Sequence, residues 1–214
     1  MNKLILITTL FLPIIAWAQP SSQVAWTVAT INRVKSADPE KGKALAQSCL
    51  GCHGQNGISK IPKTPSLAGQ SANYLFKQIR DFSLGDRVNP IMNVLTKDMT
   101  EDDAAAIAVW FSQLQANQQN ANGEDLELAA TLVKKGDSQR TLPPCEVCHG
   151  SDGQGKKIGI PALAGQRADY TTSSLKAYKS ANRNNDVYSR MRTISELLSE
   201  EEIIQLGLYY QKMQ

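Results

Sequence analysis

The chain has 214 residues, 42% of them hydrophobic, which is enough for one large globular domain or two small ones. Its 23 basic and 20 acidic residues give a net charge of +3, far from the marked positive field on which nucleic-acid binding depends. The charge balance therefore excludes a nucleic-acid-binding protein, and we predict no nucleic-acid partner.

The N-terminus predicts a signal peptide over residues 1–18. A single positive charge, Lys3, precedes an apolar run over residues 4–17, and residues 16–18 have the A-x-A pattern that signal peptidase recognises. The alternative is a membrane anchor, but the run is short for crossing a bilayer. We therefore expect an exported, periplasmic protein that begins at Gln19 and associates with membranes only through its partners.

An N-terminal extension follows at residues 19–37. Val24, Val28, Ile31 and Val34 recur in it at helical spacing, which predicts a short amphipathic helix. This helix either packs on the domain that follows or docks a partner, and the sequence leaves both alternatives open.

Two short segments contain every cysteine and histidine of the chain. "CLGCHGQNG" begins at Cys49 and "CEVCHGSDG" begins at Cys145, and each contains the C-x-x-C-H signature of c-type haem attachment. In this signature the two thiols form thioether links with the porphyrin and the histidine becomes the proximal iron ligand. We therefore predict two covalently bound haem c groups. The predicted attachment and proximal residues are Cys49, Cys52, His53, Cys145, Cys148 and His149.

Three alternatives explain the two motifs less well. A structural zinc site needs about four protein ligands, and each segment supplies three. A thioredoxin-like redox pair leaves the histidine unexplained. A structural disulfide across so small a loop stabilises a fold little.

The second motif belongs to a repeat of the first half of the chain. With an offset of 96 residues, the tetrapeptide Leu-Ala-Gly-Gln occurs at 67–70 and again at 163–166, each time after a proline and before a tyrosine. Such a repeat indicates two copies of one small domain. We predict domains at 38–115 and 124–214, joined by a polar linker at 116–123.

Each copy is predicted to be all-helical. Gly- and Pro-rich loops separate the predicted helices, and no alternating strand pattern is present. A domain of this size with few helices has a thin core, which a large bound group would fill. Cap signals mark the predicted helix starts at Asp38–Pro39, Thr100–Asp103 and Ser199–Glu202.

Methionine is the predicted sixth ligand in each copy. Since the chain has no third histidine, bis-histidine coordination is excluded for both irons, and a thioether is the remaining soft donor. Met92 and Met191 each lie eight residues before the cap of the next predicted helix, whereas Met99 aligns with an apolar residue. We predict Met92 and Met191 as axial ligands and Met99 as a core residue.

The order C-x-x-C-H, P-x-L-x-G, a lone methionine and an acidic-capped helix ending in aromatics resembles class I cytochrome c. Two such domains in tandem, each with Leu-Ala-Gly-Gln, resemble the dihaem cytochrome c4 family over about residues 38–214. The resemblance implies two all-α domains related by a pseudo-twofold axis, with the haems facing across the interface. It also implies a periplasmic electron carrier, commonly one that feeds terminal oxidases.

The resemblance implies further contacts around each haem. The carbonyls of Pro65 and Pro161 would accept a hydrogen bond from the proximal histidines, which fixes the ring. Guanidinium and phenol groups suit carboxylates, so four further residues are candidates for propionate contacts. These candidates are Tyr74, Tyr170, Arg87 and Arg183.

Three functions fit these features. The first is an electron carrier or relay between respiratory-chain partners, in which both irons are six-coordinate. The second is the cytochrome, electron-accepting subunit of a periplasmic dehydrogenase, as in flavocytochromes. The third is a haem sensor or peroxidase in which one iron loses its methionine. Because the sequence shows no nucleophile–base pair and no phosphate loop, we predict an electron-transfer protein rather than an enzyme.

Overall fold

The computed structural model describes residues 21–117, 126–155 and 158–213, and these residues are helical without any β-strand. The predicted signal peptide and residues 118–123 of the predicted linker lie outside the described residues. The helices are α1 (Val28–Lys35), α2 (Pro39–Leu45), α3 (Leu50–His53), α4 (Ala72–Leu84), α5 (Pro90–Thr96), α6 (Glu101–Gln113), α7 (Glu127–Lys134), α8 (Cys145–His149), α9 (Ala168–Lys179), α10 (Arg190–Leu197) and α11 (Glu200–Lys212), with 3₁₀ turns at Ala46–Cys49 and Val187–Ser189.

The helices form two copies of one arrangement. In the first domain α2 and α4 pack against α6, and in the second α7 and α9 pack against α11. The one-turn helices α3 and α8 carry the C-x-x-C-H motifs, and α5 and α10 follow α4 and α9 in matching order. The predicted all-α fold with two tandem domains is confirmed.

Side-chain caps start the helices where the sequence predicts them. Asp38 accepts a hydrogen bond from the Glu40 amide at 2.9 Å, with Pro39 as the first residue of α2. Complete capping boxes begin α6 and α11, at Thr100 and Ser199 respectively. These two helices therefore begin at the same point of each repeat, which fixes the register of the domain around them.

Each domain has its own small hydrophobic core. Phe76 and Phe111 are almost fully buried in the first core, against which Met99 packs. Ile203 and Leu206 occupy the second core. Both cores adjoin the cavity described below, so each domain is a thin helical shell around one site.

The N-terminal extension differs in part from its prediction. Thr27 caps α1 by accepting a hydrogen bond from the Thr30 amide at 3.1 Å, so the helix begins after Val24. Val28, predicted on the apolar face, is 75% exposed, whereas Val34 is buried. The helix packs against α6 and α4, which resolves the alternative in favour of packing on the first domain. The capped start explains the error, since periodicity alone does not fix where a helix begins.

Candidate functional site

The two C-x-x-C-H motifs each form about one turn of helix. Cys52 and His53 lie in α3, directly after the 3₁₀ turn that ends at Cys49. The second motif is the whole of α8, from Cys145 to His149. Because residues three apart lie on the same face of a helix, the two thiols of each motif point to the same side.

Both histidine rings are held by a proline carbonyl. His53 Nδ1 lies 2.9 Å from the Pro65 carbonyl oxygen, and His149 Nδ1 lies 3.0 Å from that of Pro161. Since a carbonyl oxygen only accepts, Nδ1 carries the proton and donates it. Burial lowers the pKa of both histidines, although the carbonyl bonds oppose that shift. Each imidazole is therefore neutral, with Nε2 left as a donor for a metal.

The first thiol of each motif lies in surroundings that disfavour its ionised form. Burial raises the pKa of Cys49, and it raises the pKa of Cys145 to about 11. Reactive redox cysteines instead have lowered pKa values that favour the thiolate. All four thiols are free of disulfide bonds.

One continuous cavity brings the predicted site residues of both domains together. It runs from the first motif through the domain interface to the second motif. Met92, in the first turn of α5, and Met191, in the first turn of α10, both line it. The predicted residues that line it are Cys49, Cys52, His53, Pro65, Tyr74, Arg87, Met92, Cys145, Cys148, His149, Pro161, Tyr170, Arg183 and Met191.

Two arginine–tyrosine pairs cross the interface within this cavity. Arg87 donates to the Tyr170 hydroxyl of the other domain at 3.2 Å, and Arg183 donates to the Tyr74 hydroxyl at 2.9 Å. Since both residue types recur at the offset of the repeat, the pairs are related by its pseudo-twofold symmetry. Burial raises the pKa of Tyr170, but Arg87 and Arg183 outweigh burial and lower it to about 7.

The cavity fits a large apolar group that carries carboxylates. In the described part of the chain the side-chain hydrogen-bond partners of Arg87 and Arg183 are tyrosine, glutamine and asparagine groups, with no carboxylate among them. Arg183 is buried and Arg87 is half-buried, and a desolvated cation without a carboxylate partner is costly unless an anion approaches it. Each domain contributes two thiols, a neutral imidazole, a thioether and a guanidinium to the lining, and this is the donor set that a haem with its propionates requires.

Two glutamines join the domains by hydrogen bonds. In the sequence they stand out only as the last residues of the repeated Leu-Ala-Gly-Gln tetrapeptide. Gln70 Nε2 donates to the Ala162 carbonyl at 2.9 Å, and its Oε1 accepts from the Ala162 amide at 2.8 Å. Gln166 does the same with Ser66, at 2.9 Å for both bonds. The repeated Leu-Ala-Gly-Gln tetrapeptide is the sequence feature that could have indicated this contact, because the glutamine of each copy bonds to a loop of the other domain.

A buried ion pair that sequence reasoning missed lies beside the cavity. Lys77 and Asp81, 2% and 0% exposed, are bonded to each other within α4. Lys77 also donates to the Asn185 carbonyl of the second domain at 2.7 Å, and Asn185 Nδ2 donates to Asp81 at 2.6 Å. Burial lowers the pKa of Lys77 although Asp81 opposes the shift. The apolar periodicity of α4 does not indicate that these two charged side chains are buried.

No helix in the described ranges has the length and apolar character needed to cross a membrane.

Comparison with known families matches the chain to cytochrome c over residues 39–115 and 133–212. The cytochrome c4 of Thiocapsa roseopersicina is 33% identical over 177 residues, covering 81% of this chain and 92% of that protein. The thiosulfate dehydrogenase electron acceptor of Stutzerimonas stutzeri is 33% identical, covering 77% of this chain and 78% of that protein. The crystal structure of reduced recombinant cytochrome c4 from Pseudomonas stutzeri is similar with a TM-score of 0.80 at 30% identity, over 84% of this chain and 100% of that one.

Proposed function

The chain belongs to the cytochrome c family, as a dihaem protein of the cytochrome c4 type, and on that basis we propose that it relays electrons between redox proteins through both haem sites. As a member of this family it transfers electrons and carries two covalently bound haem c groups. Each haem supplies a one-electron ferric–ferrous couple when bound. The observation that carries the relay is the single cavity, which joins both C-x-x-C-H motifs across the domain interface.

His53 with Met92, and His149 with Met191, are the proposed axial ligands. The proline carbonyls engage Nδ1 of each ring, which leaves Nε2 to bind, and both methionines lie on the cavity wall. A thioether ligand raises the reduction potential. If a histidine and a methionine bound each iron, no position would remain for a substrate, which favours a carrier over an enzyme.

The surrounding residues keep the proposed ligands in place and limit access of water. Hydrogen bonding to Pro65 or Pro161 fixes each imidazole plane and raises its donor strength. Apolar side chains such as Leu75 and Leu175 line the cavity beside them. Electron transfer at such a site requires little movement of protein groups.

Arg87 and Arg183 are proposed to bind the propionate carboxylates at the interface. Their guanidinium groups have no carboxylate partner among the described residues, and a guanidinium forms strong hydrogen bonds with a carboxylate. Tyr74 and Tyr170, which accept from these arginines, would hold the guanidinium groups in position. The two sites would thus meet at a cluster of side chains contributed by both domains.

We further propose that the protein works in the periplasm, because residues 1–18 have the pattern of a cleaved signal peptide. Its acceptor would be a membrane respiratory complex, such as a terminal oxidase. Because the charge of the chain is nearly balanced, we expect it to associate with membranes only through its protein partners.

A dehydrogenase is the second candidate partner. The relative from Stutzerimonas stutzeri is named a thiosulfate dehydrogenase electron acceptor, and its 33% identity to this chain equals that of the cytochrome c4 of Thiocapsa roseopersicina. In this alternative the protein receives electrons from an enzyme that oxidises a sulfur compound. The same two haem sites serve both roles.

Carbon monoxide tests the ligand proposal, because it binds ferrous haem iron only where an axial position is open. We expect the reduced wild-type protein to show two low-spin haems, both inert to carbon monoxide, in a spectroelectrochemical titration. Met92→Ala and Met191→Ala should each make one haem reactive, whereas Met99→Leu should make neither reactive. A carbon monoxide shift in the wild type would refute the ligand assignment and favour a sensor or peroxidase.

Stopped-flow absorbance distinguishes the two candidate partners. The oxidised protein is mixed with thiosulfate dehydrogenase and thiosulfate, and the reduced protein is mixed with membranes that contain a haem–copper oxidase. Fast oxidation by the membranes supports the respiratory role, and fast reduction by the enzyme supports the dehydrogenase role. Failure of both reactions would contradict the relay itself.

A further inference from the structure

A short segment before α1 contacts both domains at once. Ser21 Oγ donates to the Asp186 carbonyl of the second domain at 2.7 Å. Its neighbour Ser22 donates from Oγ to Asp81 Oδ1 of the first domain at 2.6 Å. Gln23 binds both carboxylate oxygens of Asp86, also in the first domain, at 2.7 and 3.1 Å. The segment therefore crosses the boundary between the domains within three residues.

The apolar residues of the segment also reach both domains. Val24 and Trp26 pack against the core of the first domain. The indole of Trp26 faces Gly159 of the second domain, where an added Cβ would lie 3.3 Å from Trp26 Nε1. The indole thus lies beside the Gly159 backbone of the second domain while it contacts the core of the first.

Ser22 completes a buried polar junction to which both domains contribute. The Asp81 carboxylate accepts from Ser22, from Lys77 and from Asn185 of the second domain. Lys77 donates in turn to the Asn185 carbonyl. Since Asp81 is 0% exposed, each lost donor leaves a charged group less satisfied in a low-dielectric environment.

We propose that residues 21–26 form an interdomain clasp that fixes the orientation of the two domains. Domains joined by a linker move relative to one another unless their interface is large or otherwise secured. The clasp is anchored at one end by α1, which packs on the first domain, and at the other by Ser21 on the second. It also fixes the geometry between the two haem sites, a consequence that rests on the proposed relay function.

Deletion of residues 21–26 from the full-length holoprotein tests the clasp. The deletion keeps residues 1–20 for export and Thr27 as the cap of α1. ¹⁵N relaxation should show one rotational correlation time for both domains of the wild type and two different times for the deletion. A Ser21→Ala/Ser22→Ala double variant should show the same trend and unfold at a Tm lower by about 3–10 °C.

Gln23→Ala is the matched control, because the Gln23 side chain bonds to Asp86 of the first domain. It should keep a single correlation time and shift Tm by less than about 2 °C. If the deletion and the double serine variant both keep a single correlation time, the clasp is refuted.

The rate of electron exchange between the haems, measured by NMR on the half-reduced protein, separates the clasp from the relay. A slower exchange in the deletion variant, together with separate tumbling, supports both proposals. Separate tumbling with an unchanged exchange rate supports the clasp but refutes its role in the relay.

Discussion

Replacement of Gln166 by alanine tests how strongly the paired glutamines join the two domains. Gln166 Nε2 donates to the Ser66 carbonyl, and its Oε1 accepts from the Ser66 amide, both at 2.9 Å and both across the interface. Alanine leaves two backbone groups of Ser66 buried without these partners, and each such group costs about 1–3 kcal/mol. The free energy of unfolding should therefore fall by about 2–6 kcal/mol.

Urea denaturation of the holoprotein, followed by far-ultraviolet circular dichroism, measures this loss. Gln70→Ala should lower the free energy of unfolding by a similar amount, since Gln70 makes the equivalent pair of hydrogen bonds to Ala162. The control is Gln154→Ala, because Gln154 is exposed and bonds to its near neighbour Asp152, and it should change stability by less than about 0.5 kcal/mol. Should Gln166→Ala change stability no more than Gln154→Ala, the glutamine bonds do not hold the domains together.

Two further predictions concern buried charge. Lys77→Met should lower the free energy of unfolding by about 3–5 kcal/mol, because it leaves Asp81 without its cation, whereas the exposed Lys97→Met should change it by less than about 0.5 kcal/mol. If Lys77→Met/Asp81→Leu is no more stable than Lys77→Met in urea denaturation, the cost does not come from the unpaired carboxylate. The hydrogen bond from Arg140 lowers the pKa of Glu202 below its ordinary value of 4.5, so its stabilisation is present above that pH and is lost as pH falls through the lowered value. Thermal unfolding between about pH 3 and 6 should show a smaller loss of Tm on acidification for Glu202→Gln than for the wild type, and an equal loss would contradict the argument.

Local patterns in the sequence were enough to predict most of the fold. The C-x-x-C-H motifs and the repeat are defined by residue identity and spacing, and both can be seen in the sequence itself. The capping boxes at Thr100 and Ser199 depend on residues three apart, so they too are readable without a structure. These features indicate the all-α class and the family.

Contacts between distant segments were not predictable in this way. The periodicity of α4 marks which residues face inward, but it does not reveal that Lys77 and Asp81 are buried by the second domain. Ser21 and Ser22 looked like ordinary residues of a polar leader, because their partners lie far along the chain. Such pairings depend on how the two domains dock, which one sequence does not determine.

Some contacts at the domain interface occur twice, once from each copy of the repeat, and others occur in one copy alone. The paired glutamines and the arginine–tyrosine pairs follow the repeat, since each domain donates and receives the same groups. Lys77 and Asp81 break it, because the matching positions of the second domain are Ser173 and Ala177. Symmetric contacts hold two sites face to face but cannot distinguish them. The buried ion pair and the clasp make the surroundings of the two sites unequal, and this difference would give the two haems different reduction potentials.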